Sequence, residues 1–329
     1  MILRRRLKRI GLSDAALDAA WPTWWSEAAE ASASATTELR FSLARKLGLD
    51  PRSLLNDSQT PRFVWRDEAR FKHLSSEDEQ ELSAITSFGK ALAGTLIAAT
   101  PEMSVNRVPA AQVLRQILLR TRMFIGLSDL LSVAWSLAIP VVHLRVFPCE
   151  RKRMAAMAVR VGERSAILLG KDSEYPAQIA FYLAHEIGHI ALGHMRRGQV
   201  LVDMDSALGI PLNDIEEEEA DKFALELLTG HPAPVVLPGS RRYNARQLAQ
   251  DVIEQAASLR IEPGTLSLCF GYSTGDWATA FAAMHTIYAH GKPVWSEVNL
   301  VAQDQLDLDQ ISDDISSYVL AVLGIPRLA

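Results

Sequence analysis

Two histidines, His185 and His189, frame the pattern HEIGH inside the stretch FYLAHEIGHIALGH. If that stretch is a helix, residues four apart share a face one turn apart, so both imidazoles can reach one metal ion. Glu186 is then rotated by about 100° from His185. Its carboxylate can address a water in an open coordination position instead of the metal itself. The flanking apolar residues Ile179, Leu183, Ile187 and Ile190 recur at helical spacing, which predicts a buried helix over 176–196. Zinc accepts imidazole nitrogen readily, and a catalytic zinc site keeps three protein ligands beside an open position. The pattern therefore calls for one more ligand.

Two segments offer it. His194 lies five residues past His189, about 140° around a continuing helix. The extended pattern HExxHxxGxxH is missed, since Leu192 and Met195 stand where it needs glycine and histidine. His194 therefore reads as a polar residue near a helix end. The second segment, IEEEEADKFALELL at 215–228, predicts another helix. A glutamate there can ligate, and an aspartate one turn later can accept the outer N–H of a ligand histidine and fix its tautomer. Glu217 and Asp221 have this relation, with Glu218 as the alternative ligand. Glu216 and Glu219 read as solvent-facing or structural, because an acidic first turn suits the helix dipole. Phe223, Ala224, Leu227 and Leu228 supply a face to pack on the first helix.

Around these segments the chain has an ordinary globular composition, with 329 residues, 48% hydrophobic and 22% charged. Its length predicts two or three domains. A net charge of −5 argues against a general nucleic-acid coat. Cys149 and Cys269 are too few and too isolated for a disulfide framework or a thiolate zinc site. The basic run Arg4–Arg9 is followed by Ser13, Asp14 and Asp18 instead of an apolar core, so it does not read as a signal peptide. The most apolar stretches, 91–100 and 130–144, fall short of the roughly 18–20 residues a membrane span needs. The expectation is a soluble, cytoplasmic protein without a membrane partner.

Periodicity predicts further elements. Leu39, Leu43 and Leu47 mark one face of a helix over 36–48 stopped by Gly48, and Pro51 opens a short helix. Helices follow over 77–99, 109–126 and 127–137. The stretch 140–147 (PVVHLRVF) reads as a strand, and 157–161 with 165–169 as a hairpin around a three-residue loop, 162–164. Asp276 reads as the cap of a later helix carrying Trp277, Phe281 and Met284 on its buried face. The fold class is α+β: mostly helical, with a small antiparallel sheet packed on the HExxH helix and helical flanking regions. The organisation expected is a small helical domain at 1–60, a helical connector at 61–125, the metal-binding core at 126–230 and a helical region at 231–329.

HEIGHIALGH, followed roughly thirty residues later by EEEEADKFALELL, resembles the ImmA/IrrE group of gluzincin-like zinc metallopeptidases. So does the upstream order of helix, strand PVVHL, hairpin and HExxH helix, and the resemblance spans roughly 126–230. It implies zinc held by His185, His189 and Glu217, Glu186 as the catalytic carboxylate, and Asp221 where such proteins carry Asn or Asp. One departure is that Leu227-Leu228-Thr229-Gly230 replaces the family's LLMP. The implied activity is endopeptidase cleavage of a regulatory protein, such as a helix-turn-helix repressor or an antitoxin, in stress, mobile-element or defence control. Tyr182, His194, His231 and Tyr243 are candidate oxyanion stabilisers. Near the N-terminus, ELRFSLARKLGLDPRSLL resembles the first helices of XRE-type helix-turn-helix domains, and Arg4–Arg9 could contact DNA phosphates. The competing reading is a DNA-binding or toxin–antitoxin regulatory protein that retains a metalloprotease fold. Trp21, Trp24 and Trp25 read as packing residues.

Overall fold

A computed structural model describes residues 2–65, 69–70, 79–102, 107–150, 154–195, 200–204, 215–234, 244–289 and 293–326. Its N-terminal elements are α1 (Ile2–Arg9), α2 (Asp14–Ala20), α3 (Glu27–Glu30), α4 (Ala33–Leu47) and α5 (Pro51–Leu55). Side chains of Ser13, Ser32 and Asp50 accept backbone N–H bonds at the starts of α2, α4 and α5. Gly48 ends α4 in the left-handed region, as the sequence predicts, and Leu39, Leu43 and Leu47 form its buried face. Next come β1 (Ala69–Arg70), α6 (Glu79–Ala98), α7 (Ala111–Leu118) and α8 (Leu127–Ser136). The helix expected over 109–126 is shorter, because the chain turns at Leu119 and α8 starts anew, with Asp129 accepting from the Gly126 N–H at 3.0 Å.

The sheet comprises β1 together with β2 (Val141–His143), β3 (Met154–Val161), β4 (Arg164–Leu169) and β5 (Val200–Met204), in the order β1-β5-β3-β4-β2. The α+β class holds. The three central strands are antiparallel as expected, whereas β2 joins β4 and β1 joins β5 in parallel, so the sheet is mixed. Val161 pairs with Arg164, which leaves a two-residue loop where three residues were expected. Gly162 takes φ +63 at its first position, the place a II′ turn reserves for glycine. Arg164 stays in the ladder while its guanidinium donates to the Ile97 and Thr100 carbonyls at the end of α6. The strand expected over 140–147 stops at His143, because the Arg145 and Val146 N–H groups turn to the Val322 carbonyl.

Side-chain alternation divides the sheet between two apolar layers. Met157, Val159, Ala166 and Leu168 join α6, α1, α2 and α4 on one face. Ala156, Ile167 and Leu169 face α8 and the HExxH helix α9 (Pro176–Leu192) on the other. The second acidic helix, α10 (Ile215–Thr229), packs on α9 through Phe223, Ala224, Leu227 and Leu228. The helices α11 (Ala245–Leu259), α12 (Pro263–Thr274) and α13 (Trp277–Ile287) build a separate apolar cluster, and α12 also contacts α9. Asp276 caps α13 as predicted, accepting from the Thr279 N–H at 3.0 Å. Finally, α14 (Val294–Gln305) lies beside β2, and α15 (Asp313–Leu323) closes the first layer through Tyr318 and Val322. Among the described residues, no helix is long and apolar enough to cross a membrane.

Candidate metal centre

Pro176 opens α9, where its missing N–H costs nothing. Buried apolar residues then seat the helix on the sheet, leaving His185 and His189 one turn apart at 4% and 0% exposure. Between them sits Gly188. A Cβ there would lie 3.2 Å from the Phe223 Cβ and 3.3 Å from the Ala220 carbonyl oxygen. Glycine at 188 is thus what lets the backbones of α9 and α10 approach closely and bring Glu217 across to the histidines.

His185 Nε2 and His189 Nε2 lie 2.9 Å apart, and the Glu217 carboxylate oxygens stand 3.4 Å and 3.3 Å from them. These three side chains form a group that could hold a metal ion. The two glutamates between which the sequence left the choice open are placed differently. Glu217 is 19% exposed and faces the histidines, whereas Glu218 is 66% exposed and pairs with Lys222. Asp221 accepts from His185 Nδ1 at 2.9 Å, the role read from its spacing.

His194 lies just past a helix end, as expected, but the helix stops earlier and the turn brings it to His189. The helix expected to run to residue 196 ends at Leu192, and Gly193 turns the chain in the left-handed region with φ +75. The His194 N–H then bonds back to the His189 carbonyl. This turn places His194 Nδ1 2.9 Å from His189 Nδ1, and His194 Nε2 3.0 Å from Glu219 Oε2. Glu219, exposed as expected, holds the outer histidine. The one available signal was Gly193, a glycine placed where a helix C-terminus needs one.

The network fixes the tautomers. A carboxylate only accepts, so His194 Nε2–H donates to Glu219, and in a neutral ring Nδ1 becomes the acceptor for His189 Nδ1–H. His185 Nδ1–H likewise donates to Asp221. Both Nε2 atoms then carry lone pairs toward the Glu217 carboxylate, and three electron-rich atoms converging in this way suit a cation. Glu186, next along α9, is 1% exposed.

No family model, curated protein or solved structure matches this chain.

Among the described residues, the other sequence candidates do not join the group of His185, His189 and Glu217. Tyr182 packs edge-on against Phe181. His194 has both ring nitrogens engaged behind His189, so it is not placed to stabilise an oxyanion. His231 accepts from the Ala233 N–H in the turn after α10. Tyr243 lies outside the described residues. In the N-terminal basic run, Arg4 and Lys8 bond to Asp14, Arg4 also to Asp18, and Arg6 donates to the Ser53, Asn56 and Gln59 carbonyls. Trp21 and Trp25 pack against the first core layer, and Cys149 and Cys269 are buried thiols.

Proposed function

We propose that this chain is a zinc-dependent endopeptidase in which Glu186 is the general base and acid. The observation that carries the reading is the convergence of His185 and His189 of α9 with Glu217 of α10, beside a buried glutamate, Glu186, that directly follows His185. Two neutral imidazoles and one carboxylate match the ligand chemistry of zinc. The observed donor separations of 2.9–3.4 Å sit near the roughly 3.4 Å expected for tetrahedral zinc. When bound, zinc supplies Lewis acidity and makes water easier to deprotonate.

The chain's own residues supply the rest. Glu186 takes a proton from the attacking water and returns it to the leaving amine, a role for which its burial limits exchange with solvent. Asp221 and the pair His194–Glu219 hold the ligand imidazoles in the tautomer that presents Nε2. The resemblance to the ImmA/IrrE group favours a single regulatory protein as substrate, a helix-turn-helix repressor in the cytoplasm. The alternative of a DNA-binding regulator gains less support, because Arg4, Arg6 and Lys8 are engaged within the chain.

The test is incubation of the zinc-loaded protein with purified helix-turn-helix repressors, followed by mass spectrometry of the products. The wild type is expected to cut one of them at a defined bond, and Glu186→Gln to be slower by about 10²–10⁴-fold. Equal cutting by Glu186→Gln, or no cutting of any protein, would overturn the reading.

A further inference from the structure

A cavity of about 400 Å³ lies at the C-terminal end of α9. Ile190 and Leu192 line it from α9, Leu137 and Ile139 from the link between α8 and β2, and the β3–β4 hairpin closes the third side. None of His185, Glu186, His189 and Glu217 takes part in it.

The charges around this cavity are unbalanced. Among the described residues, Arg107, Arg160 and Arg164 line it against one carboxylate, Glu163. Arg160 pairs with Glu163 at 2.9 Å. Arg164 donates to two backbone carbonyls, Ile97 and Thr100, which leave its positive charge in place. Arg107 is exposed and meets no carboxylate among the described residues. Ser165 is an independent sign of a ligand. It lines the cavity at 8% exposure, and its backbone pairs in the ladder with Arg160. Its hydroxyl makes no hydrogen bond among the described residues. Buried polar groups are ordinarily bonded, so an acceptor oxygen from outside would complete this one. The rest of the lining is aliphatic. Among the described residues it holds no aromatic side chain on which a base or ring could stack. The volume falls within the roughly 300–1,000 Å³ of small-molecule sites.

We propose that this cavity binds a small aliphatic anion, with its acidic head at Arg107, Arg164 and Ser165 and its chain along Leu137, Ile139 and Ile190. The inference stands apart from the peptidase reading, since it uses none of the residues assigned to catalysis. Its position still matters to the candidate centre. Gly193, which turns His194 toward His189, belongs to the same wall, so an occupant sits against the turn that supports the metal-facing histidine.

Isothermal titration of the full chain with decanoate, decyl phosphate and decanol, each below its micelle concentration, tests it. At least one of the two anions is expected to bind saturably, about tenfold or more tightly than decanol. The tighter anion tells a carboxylate head from a phosphate head. Arg107→Glu should weaken binding by about tenfold or more, and Ser165→Ala severalfold, with circular dichroism checking that each variant is folded. His185→Ala should bind as the wild type does, which separates the cavity from coordination at the metal centre. Three results overturn the proposal: no saturable binding of either anion, decanol binding as tightly as the anions, or binding unchanged by both Arg107→Glu and Ser165→Ala. Binding lost in a folded His185→Ala variant also overturns it, because the anion then sits at the metal centre.

Discussion

His189 Nδ1 lies 2.9 Å from His194 Nδ1, so an imidazole of the candidate metal-binding triad is held by a second imidazole, which Glu219 holds in turn. His185 is held more directly by Asp221. Both arrangements protonate Nδ1 and direct the Nε2 lone pair inward. Outer partners of this kind typically contribute 10–100-fold in metal affinity. His194→Ala and Glu219→Gln are therefore expected to weaken zinc binding by about that factor in competition with a chelating dye. Glu218→Gln, at an exposed residue paired with Lys222, should not. Unchanged affinity in His194→Ala would show that the second imidazole is only a packing residue.

Gly188 sets the distance between the two helices that carry His185, His189 and Glu217. A methyl group there meets Phe223 and the Ala220 carbonyl at 3.2–3.3 Å, which the neighbours can accommodate only by moving a few tenths of an ångström. Gly188→Val demands more. It is expected to cost about 1–3 kcal/mol in urea unfolding and to lower zinc content by displacing Glu217. Full stability and full metal content in Gly188→Val would remove close helix approach as the reason for glycine between the histidines.

His143 links stability to pH. Burial holds its imidazole below the usual 6.5, outweighing the Lys171 and Leu144 carbonyls at its ring nitrogens and Asp172 nearby, with Arg145 adding to the depression. As pH falls below about 6.5, the unfolded chain takes up a proton that the folded chain resists, so stability falls toward the lower folded value. The slope from this one group reaches at most about 1.4 kcal/mol per pH unit. Urea midpoints measured on chelator-treated protein between pH 7.5 and 5 should fall for the wild type and fall less for His143→Gln. Parallel slopes in the two proteins would assign the acid sensitivity elsewhere.

Much of the site was legible because its signals are local. The spacing of His185 and His189 needs only a helix, and the i, i+4 relation of Glu217 and Asp221 needs only a second one. The leucine face of α4 and its glycine stop are local in the same way. The contact of His194 with His189 was not legible because one left-handed residue, Gly193, reverses a direction that periodicity extrapolates straight on. The parallel edge strands depend on pairing between residues far apart in sequence, Val141 with Ile167 and Ala69 with Val200, which alternation along one strand does not encode. The packing of the helical cluster is tertiary for the same reason: α12 meets α9 across some eighty residues of chain.

The most direct test of the metal centre is elemental analysis of zinc-replete protein for the wild type, His185→Ala, Glu217→Ala and Glu186→Gln. The expected result is about one zinc per chain in the wild type and in Glu186→Gln, with loss from the two ligand variants. A wild type without zinc, or a Glu217→Ala variant that keeps it, would contradict the assignment of His185, His189 and Glu217 as one site.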